Sequence, residues 1–336
     1  MQLRRIIKIV FFSFVCLLNS AGYAEWYADQ QAIMGTSVSV NLWHTDKAAA
    51  EAAIAAVMQE MRRVDQTLSP YIESSELARV NRDAGKNPVA ISNELATIID
   101  KALYFSRISN GAFDISFASV GRHYDYREKE KPADAQRQAL LEAIDYRLIE
   151  LDTKQLLLHL KHPDLQIDLG GIAKGYAVDR SIALLQQHGI TNASVSAGGD
   201  SRLLGDRGNN RPWYVGIKNP RGDHSDGDEV AITLPLADVA VSTSGDYERF
   251  FIDPATGERI HHILNPRTGQ SSRGIASVTV LGPNGFDTDP LSTTVFVLGV
   301  EEGLRLINQL ADFDCVIIDS TGKVHYSDGL APPVQP

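Results

Sequence analysis

The octapeptide Asp168-Leu169-Gly170-Gly171-Ile172-Ala173-Lys174-Gly175 constrains the fold of this chain more than any other stretch. It follows an apolar run at 165–169, which reads as a strand. It precedes Ile172, Val178, Ile182 and Leu185 at helical spacing, a pattern that stops at Gly189. At such a strand-to-helix junction the glycines let backbone approach a ligand, the helix start offers unpaired N–H groups, and Lys174 adds a cation. The segment is therefore a candidate anion site, and it equally fits a plain tight junction with a surface lysine. It is not a Walker A loop, because the glycine spacing and the Ser or Thr after lysine are absent.

Around this junction, Ile54, Val57, Met61, Val64 and Leu68 predict a helix running from a Thr45 cap to about residue 68. Leu95, Ile98, Ile99, Ala102 and Phe105 predict another after Ser92, ending before Gly111. Strands are expected over 146–151, 155–160, 193–196, 213–217, 230–234, 275–281 and 315–319, and helices over 290–298 and 301–310. Residues 219–228 read as a surface loop, while 253–257 and 265–269 read as tight turns with proline second. Helices and strands mix without strict βαβ repetition. The expected fold is thus α+β, with mixed or antiparallel sheets and packed helices in one compact, two-lobed unit.

The first residues have the order of an export signal. Arg4, Arg5 and Lys8 precede an apolar run at 9–18, and small residues lead to Ala24. Gly22 and Ala24 suit the cleavage pocket, so 1–24 is expected to be removed, 25–328 to form the folded unit and 329–336 a flexible tail. The run is shorter than the roughly 20 residues needed to span a bilayer. Val15 before Cys16 argues against a lipoprotein, so the expected location is periplasmic, or associated with the inner membrane after export. Cys16 would leave with the signal, and Cys315, without a partner, reads as a buried small hydrophobe. A net charge of -10 with no basic cluster outside the signal argues against nucleic acid as a partner.

Three further segments could carry chemistry. In Asp287-Thr288-Asp289-Pro290-Leu291-Ser292-Thr293, Asp289 and Thr293 are four apart at a helix start, so their oxygens can face one point and suit Mg²⁺. The same residues equally fit a helix start with Asp289 as cap and Pro290 first. In His261-His262-Ile263-Leu264-Asn265-Pro266-Arg267-Thr268-Gly269, a histidine before a tight turn can be an acid or base, or a hydrogen-bonded structural group. The polar run 242–248 could bind a ligand or form a turn, and no Gly-x-Ser-x-Gly elbow supports a nucleophilic serine.

Taken together, these segments resemble the ApbE family, the FAD:protein FMN transferases, in the family's order. The resemblance also includes Met34-Gly35-Thr36, Ser74-Ser75-Glu76-Leu77, Gly111-Ala112-Phe113-Asp114 and Ala197-Gly198-Gly199-Asp200. It implies that Met34, Tyr71, Ala112, Phe113, Asp114, Asp168, Lys174 and Ile263 contact FAD. It implies that Mg²⁺ lies between the Gly171 carbonyl, Asp289 and Thr293, and that His262 rather than His261 has a catalytic or FAD-positioning role. The chain departs from the family's usual residues at Ile115, Ser116, Asn265 and Pro290. The implied reaction is magnesium-dependent transfer of FMN from FAD to a Ser or Thr of an exported or membrane redox protein, with release of AMP. An FAD pyrophosphatase and a non-enzymatic flavin-binding protein remain the alternatives.

Overall fold

The computed structural model describes residues 24–222 and 229–330. Its centre is an eight-stranded sheet whose strands lie side by side in chain order, every neighbouring pair antiparallel. These strands are β1 (Glu25–Ile33), β2 (Thr36–His44), β3 (Ala193–Ala197), β4 (Asp200–Leu204), β5 (Ala240–Gly245), β6 (Ile275–Gly282), β7 (Asp314–Asp319) and β8 (Val324–Tyr326). β6 is buried along its whole length, as an apolar run in a central strand should be. The β1–β2 hairpin turns through Met34 and Gly35, both left-handed at φ 56° and 66°. Its far end carries Trp26 and Trp43, which meet Trp213 with ring centroids 5.3 and 5.2 Å from Trp26. Trp213 begins a separate two-stranded hairpin, Trp213–Lys218 with Val230–Leu236.

Helices α1 (Lys47–Leu68), α3 (Ala173–Gln187) and α4 (Gly285–Leu298) occupy the insertions between strands and pack together over the sheet. The helix α1 buries the apolar stripe that its periodicity marks out. Its cap is Asp46, not Thr45, because the Asp46 carboxylate accepts the Ala48 and Ala49 N–H groups at 2.8 and 3.2 Å. Helix α2 (Asn93–Ile108) starts on its expected Ser92 cap. It lies beside a smaller sheet of Val89–Ala90, Leu157–Leu160 and Ile149–Asp152, whose Ile149, Leu158 and Leu160 join the same hydrophobic core as the main sheet. Cys315 is buried in β7 with no thiol partner among the described residues.

Several expectations differ from the structure, each for an identifiable physical reason. Residues 165–169 join no ladder: Asn81 takes both the N–H and C=O of Ile167, at 2.8 and 2.9 Å, and Ser119 Oγ accepts the Gln166 N–H. Side chains thus satisfy a backbone that would otherwise need a strand partner. Tyr146–Leu148 is a 3₁₀ turn capped by Asp145, so the strand begins at Ile149, and its partner starts at Leu157. The helix expected from Pro290 starts at Gly285, because Asn284 caps Asp287 N and the Asp179 carboxylate accepts the Gly285 and Phe286 N–H groups at 2.9 Å each. The last helix, α5, is shorter than expected, at Val300–Ile307. Residues 1–23 of the proposed signal, residues 223–228 of the surface loop and tail residues 331–336 lie outside the described residues.

Candidate active site

The early start of α4 changes the role of Asp289. It is no cap; it lies inside the helix, 3% exposed, where α4 crosses α3. The crossing is close because both helices present glycine: a Cβ on Gly285 would lie 2.6 Å from the Gly175 carbonyl oxygen, and one on Gly175 would overlap the Gly285 carbonyl. Across this contact the Gly175 N–H donates to Asp289 Oδ2 at 2.9 Å. That amide would ordinarily close the first helical turn onto the Gly171 carbonyl. Among the described residues nothing donates to Gly171 O, so an acceptor is left open beside Asp289.

Thr293 reaches the same place from the next turn of α4. Its Oγ1 would lie 3.5 Å from a Cβ on Gly171, and the Phe113 ring closes the other side at 3.2 Å, a position where only glycine fits easily. Ser244 Oγ of β5 holds Thr293 Oγ1 at 3.2 Å and Ser292 Oγ at 2.8 Å, and Ser242 Oγ holds Thr288 Oγ1 at 2.8 Å. The polar run at 242–248 is therefore a strand followed by a turn, and its hydroxyls anchor α4 against the sheet. The carbonyl of Gly171, the carboxylate of Asp289 and the hydroxyl of Thr293 are hard oxygen donors on the two sides of this crossing, and their chemistry suits Mg²⁺.

Lys174 is drawn into this cluster. Its ammonium lies 2.9 Å from Gly170 O, 2.8 Å from Asp200 Oδ2 and 3.5 Å from Asp289 Oδ1, so three acceptors meet its three N–H groups. Burial opposes its charge, but Asp200 and Asp289 outweigh burial and hold Lys174 above the usual lysine range. For Asp289, burial and then the Asp200 charge raise the carboxyl pKa against the pull of Lys174. Sequence reasoning had matched Asp200 only as part of a motif. Its contact with Lys174 joins residues from β4 and α3, which no spacing in the sequence could show.

The two histidines separate clearly. His261 uses both ring nitrogens: Nε2 lies 2.8 Å from the Ser272 carbonyl, to which it donates, and Nδ1 accepts the Ile263 N–H at 3.3 Å. His262 has a buried Nδ1 with no hydrogen-bond partner. Burial, followed by the charges of Arg249, His261 and Lys174, pushes the His262 pKa down to about 3. Its ring is therefore neutral near pH 7, with Tyr126 edge-on at 6.5 Å between centroids. The expected turns flank it: Gly257 N donates to Asp253 O and Gly269 N to Asn265 O, both at 2.8 Å.

The remaining expected flavin contacts occupy different settings. Met34 donates its N–H to Asp65 at 3.3 Å, and Tyr71 is 84% exposed, with Asp168 and Arg249 the charges that bear on its phenol. Asp168 caps its own turn, accepting Gly170 N at 2.6 Å, and burial raises its pKa against that bond. Asp114 faces inward. Its carboxylate accepts from Ser116 N and Oγ and from Tyr146 N, at 2.9, 2.5 and 2.8 Å, while burial raises its pKa to about 6. Ser116 thus fits this position through its hydroxyl. Ala112, Phe113 and Ile263 are buried, and Ile263 is fixed by the Ser272 N–H on its carbonyl at 2.9 Å. Arg249, which stands in no motif, reaches Gly35 O at 3.5 Å, and its charge bears on Tyr71, Asp168 and His262.

Comparison with known proteins identifies the family and the fold. The family model described as the ApbE family matches residues 34–317. The FAD:protein FMN transferase of Treponema pallidum (strain Nichols) is 31% identical, over 96% of this chain and 94% of that protein. One from Klebsiella pneumoniae (strain 342) is 30% identical over 87% and 89%. Among solved structures, the ApbE protein of Thermotoga maritima is similar with a TM-score of 0.82 and 30% identity, over 91% of this chain and 98% of that one. The flavin transferase ApbE of Vibrio cholerae is similar with a TM-score of 0.79 and 26% identity, over the same shares.

Proposed function

This chain belongs to the ApbE family and is a flavin transferase, and we propose that after export it splits FAD and joins FMN to a Ser or Thr of an acceptor protein, in a magnesium-dependent reaction that releases AMP. The observation that carries the metal part of this reading is the diverted Gly175 amide, which leaves the Gly171 carbonyl free beside Asp289 and Thr293. These three groups would hold Mg²⁺, which when bound neutralises charge on the pyrophosphate oxygens. Asp200 and Lys174 brace the Asp289 carboxylate.

The acceptor hydroxyl oxygen forms a new bond to the FMN-side phosphorus as the bridging P–O bond to AMP breaks, and AMP leaves with that electron pair. The hydroxyl proton needs a base. His262 is neutral and its ring lacks a hydrogen-bond partner at Nδ1, so it is the group we assign to accept or steer that proton. Burial is the larger cause of the low His262 pKa, and phosphate charge entering beside Arg249 and Lys174 would offset only the smaller contribution of those cations. The partner is an exported or membrane redox protein, and the export signal at 1–24 supports a periplasmic setting.

The test is to incubate the mature protein with FAD, MgCl₂ and an acceptor domain, following acceptor mass and nucleotide release together. One added FMN per acceptor with equal AMP, both lost on chelation by EDTA, is expected. AMP with free FMN in the absence of acceptor makes water the nucleophile and replaces transfer by hydrolysis. Flavin binding without AMP release makes the protein a carrier.

A further inference from the structure

We infer that Arg249 binds the diphosphate of FAD through its guanidinium, as a cation of the site with no carboxylate partner among the described residues; the inference rests on FAD being the substrate. The cation that the sequence places next to a phosphate is Lys174, yet the structure directs its three N–H groups to Gly170 O, Asp200 and Asp289. A lysine has no fourth donor to offer. Arg221 is held by Asp246 through two bonds of 2.7 and 2.6 Å, and the Arg259 guanidinium lies 3.8 Å over the Phe250 ring with its Nη1 buried away from an incoming ligand.

Arg249 is different. Its side chain is exposed, and among the described residues its one hydrogen bond is a long one, 3.5 Å from Nη2 to Gly35 O. No carboxylate lies within ion-pair distance of it among the described residues. Its backbone is nevertheless fixed, because the Arg249 carbonyl accepts the His262 N–H at 3.1 Å. Arg249 thus links the Met34-Gly35 turn, through its guanidinium, to the His262 segment, through its backbone, and its charge is felt by Tyr71, Asp168, Tyr126 and His262. A planar fork with unused donors matches two oxygens of a phosphate, and it sheds water more readily than an ammonium. An acidic segment of the acceptor protein would also suit a guanidinium. The position of Arg249 among the residues implied to touch flavin, Met34, Tyr71 and Asp168, favours FAD.

The experiment compares FAD and riboflavin binding to wild type, Arg249→Ala and Arg249→Lys by flavin fluorescence titration, with circular dichroism to verify folding. Riboflavin has no phosphate and serves as the internal reference. Loss of a charge-assisted, two-pronged contact should weaken FAD binding to Arg249→Ala by about 10- to 100-fold. Riboflavin affinity should be unchanged, Arg249→Lys should recover part of the loss, and the salt dependence of FAD binding should flatten in the alanine variant. Equal FAD affinity in wild type and Arg249→Ala overturns the inference, as does an equal loss for riboflavin. Unchanged FAD affinity with a raised KM for acceptor assigns the guanidinium to the protein partner and also overturns it. Selective loss of FAD binding together with a wild type that transfers no FMN supports the Arg249 assignment and counts against the transferase reading alone.

Discussion

The backbone N–H of Gly175 donates to Asp289 Oδ2 across 2.9 Å, and two groups take their state from that contact. The Gly171 carbonyl loses its usual helical donor, the Asp289 carboxylate is aimed back toward α3, and Asp289 Oδ1 is left facing Lys174 at 3.5 Å. The contact exists because α3 and α4 both carry glycine where they cross, so backbone can touch backbone.

Gly175→Ala should therefore destabilise the fold and remove activity together. The added methyl collides with the Gly285 carbonyl and with Asp289 Cβ, which is backbone and a packed helix rather than a flexible tip. Overpacking of this kind costs about 1–3 kcal/mol, with more where backbone cannot move. Urea denaturation should show a lowered midpoint. A variant with the wild-type midpoint and full transfer would mean that the helices can part without consequence for the site.

Asn284→Ala and Asp289→Asn should give opposite phenotypes. Asn284 is the residue that caps α4, so its loss should cost about 0.5–2 kcal/mol of stability while turnover per folded molecule stays near wild type. Asp289→Asn keeps an acceptor for the Gly175 N–H but removes the charge, and magnesium-dependent turnover should disappear with the fold intact. Paired melts and activity assays check both. The reverse pattern would return Asp289 to a capping role.

His262 should make the protein lose stability on the acid side. Its pKa lies near 3 when folded, against an ordinary 6.5, so the unfolded chain binds the extra proton between those values. The stabilisation is present above about 6.5 and is lost as pH falls toward 3. Asp114, raised by burial from 3.8 to about 6, acts in the opposite sense across its own window: its contribution is complete below 3.8 and lost as pH rises to 6. Comparing wild type with His262→Gln across pH 4–7 isolates the histidine, and the variant should show the flatter acid limb. Parallel curves would indicate a His262 that titrates normally.

Export should yield a chain beginning at Glu25, since Gly22 and Ala24 fit the signal protease. Intact mass of the protein recovered from the periplasm checks this. A product that still contains Cys16, with or without acyl chains, would overturn it.

Much of the architecture was legible because its signals are local. The apolar stripe of α1, the Ser92 cap and the Asp253 and Asn265 turns each depend on residues a few positions apart. Failures came where a distant residue settled the matter. Asn81 takes the hydrogen bonds that would have made 165–169 a strand, and Asp179 helps start α4 ahead of Pro290. The site follows the same division. Gly171, Asp289 and Thr293 stand in recognisable motifs, whereas Asp200 and Arg249 matter through contacts between strands, helices and turns far apart in sequence.

All three tryptophans of the chain sit in one cluster, Trp26, Trp43 and Trp213, with Arg207 at 5.9 Å over both Trp26 and Trp213. Ultraviolet emission of the protein consequently originates from a single neighbourhood, at the end of the β1–β2 hairpin away from its Met34-Gly35 turn. An emission shift during unfolding reads the detachment of that hairpin end from the strand bearing Trp213, so it follows one margin of the sheet rather than the glycine crossing where the chemistry lies.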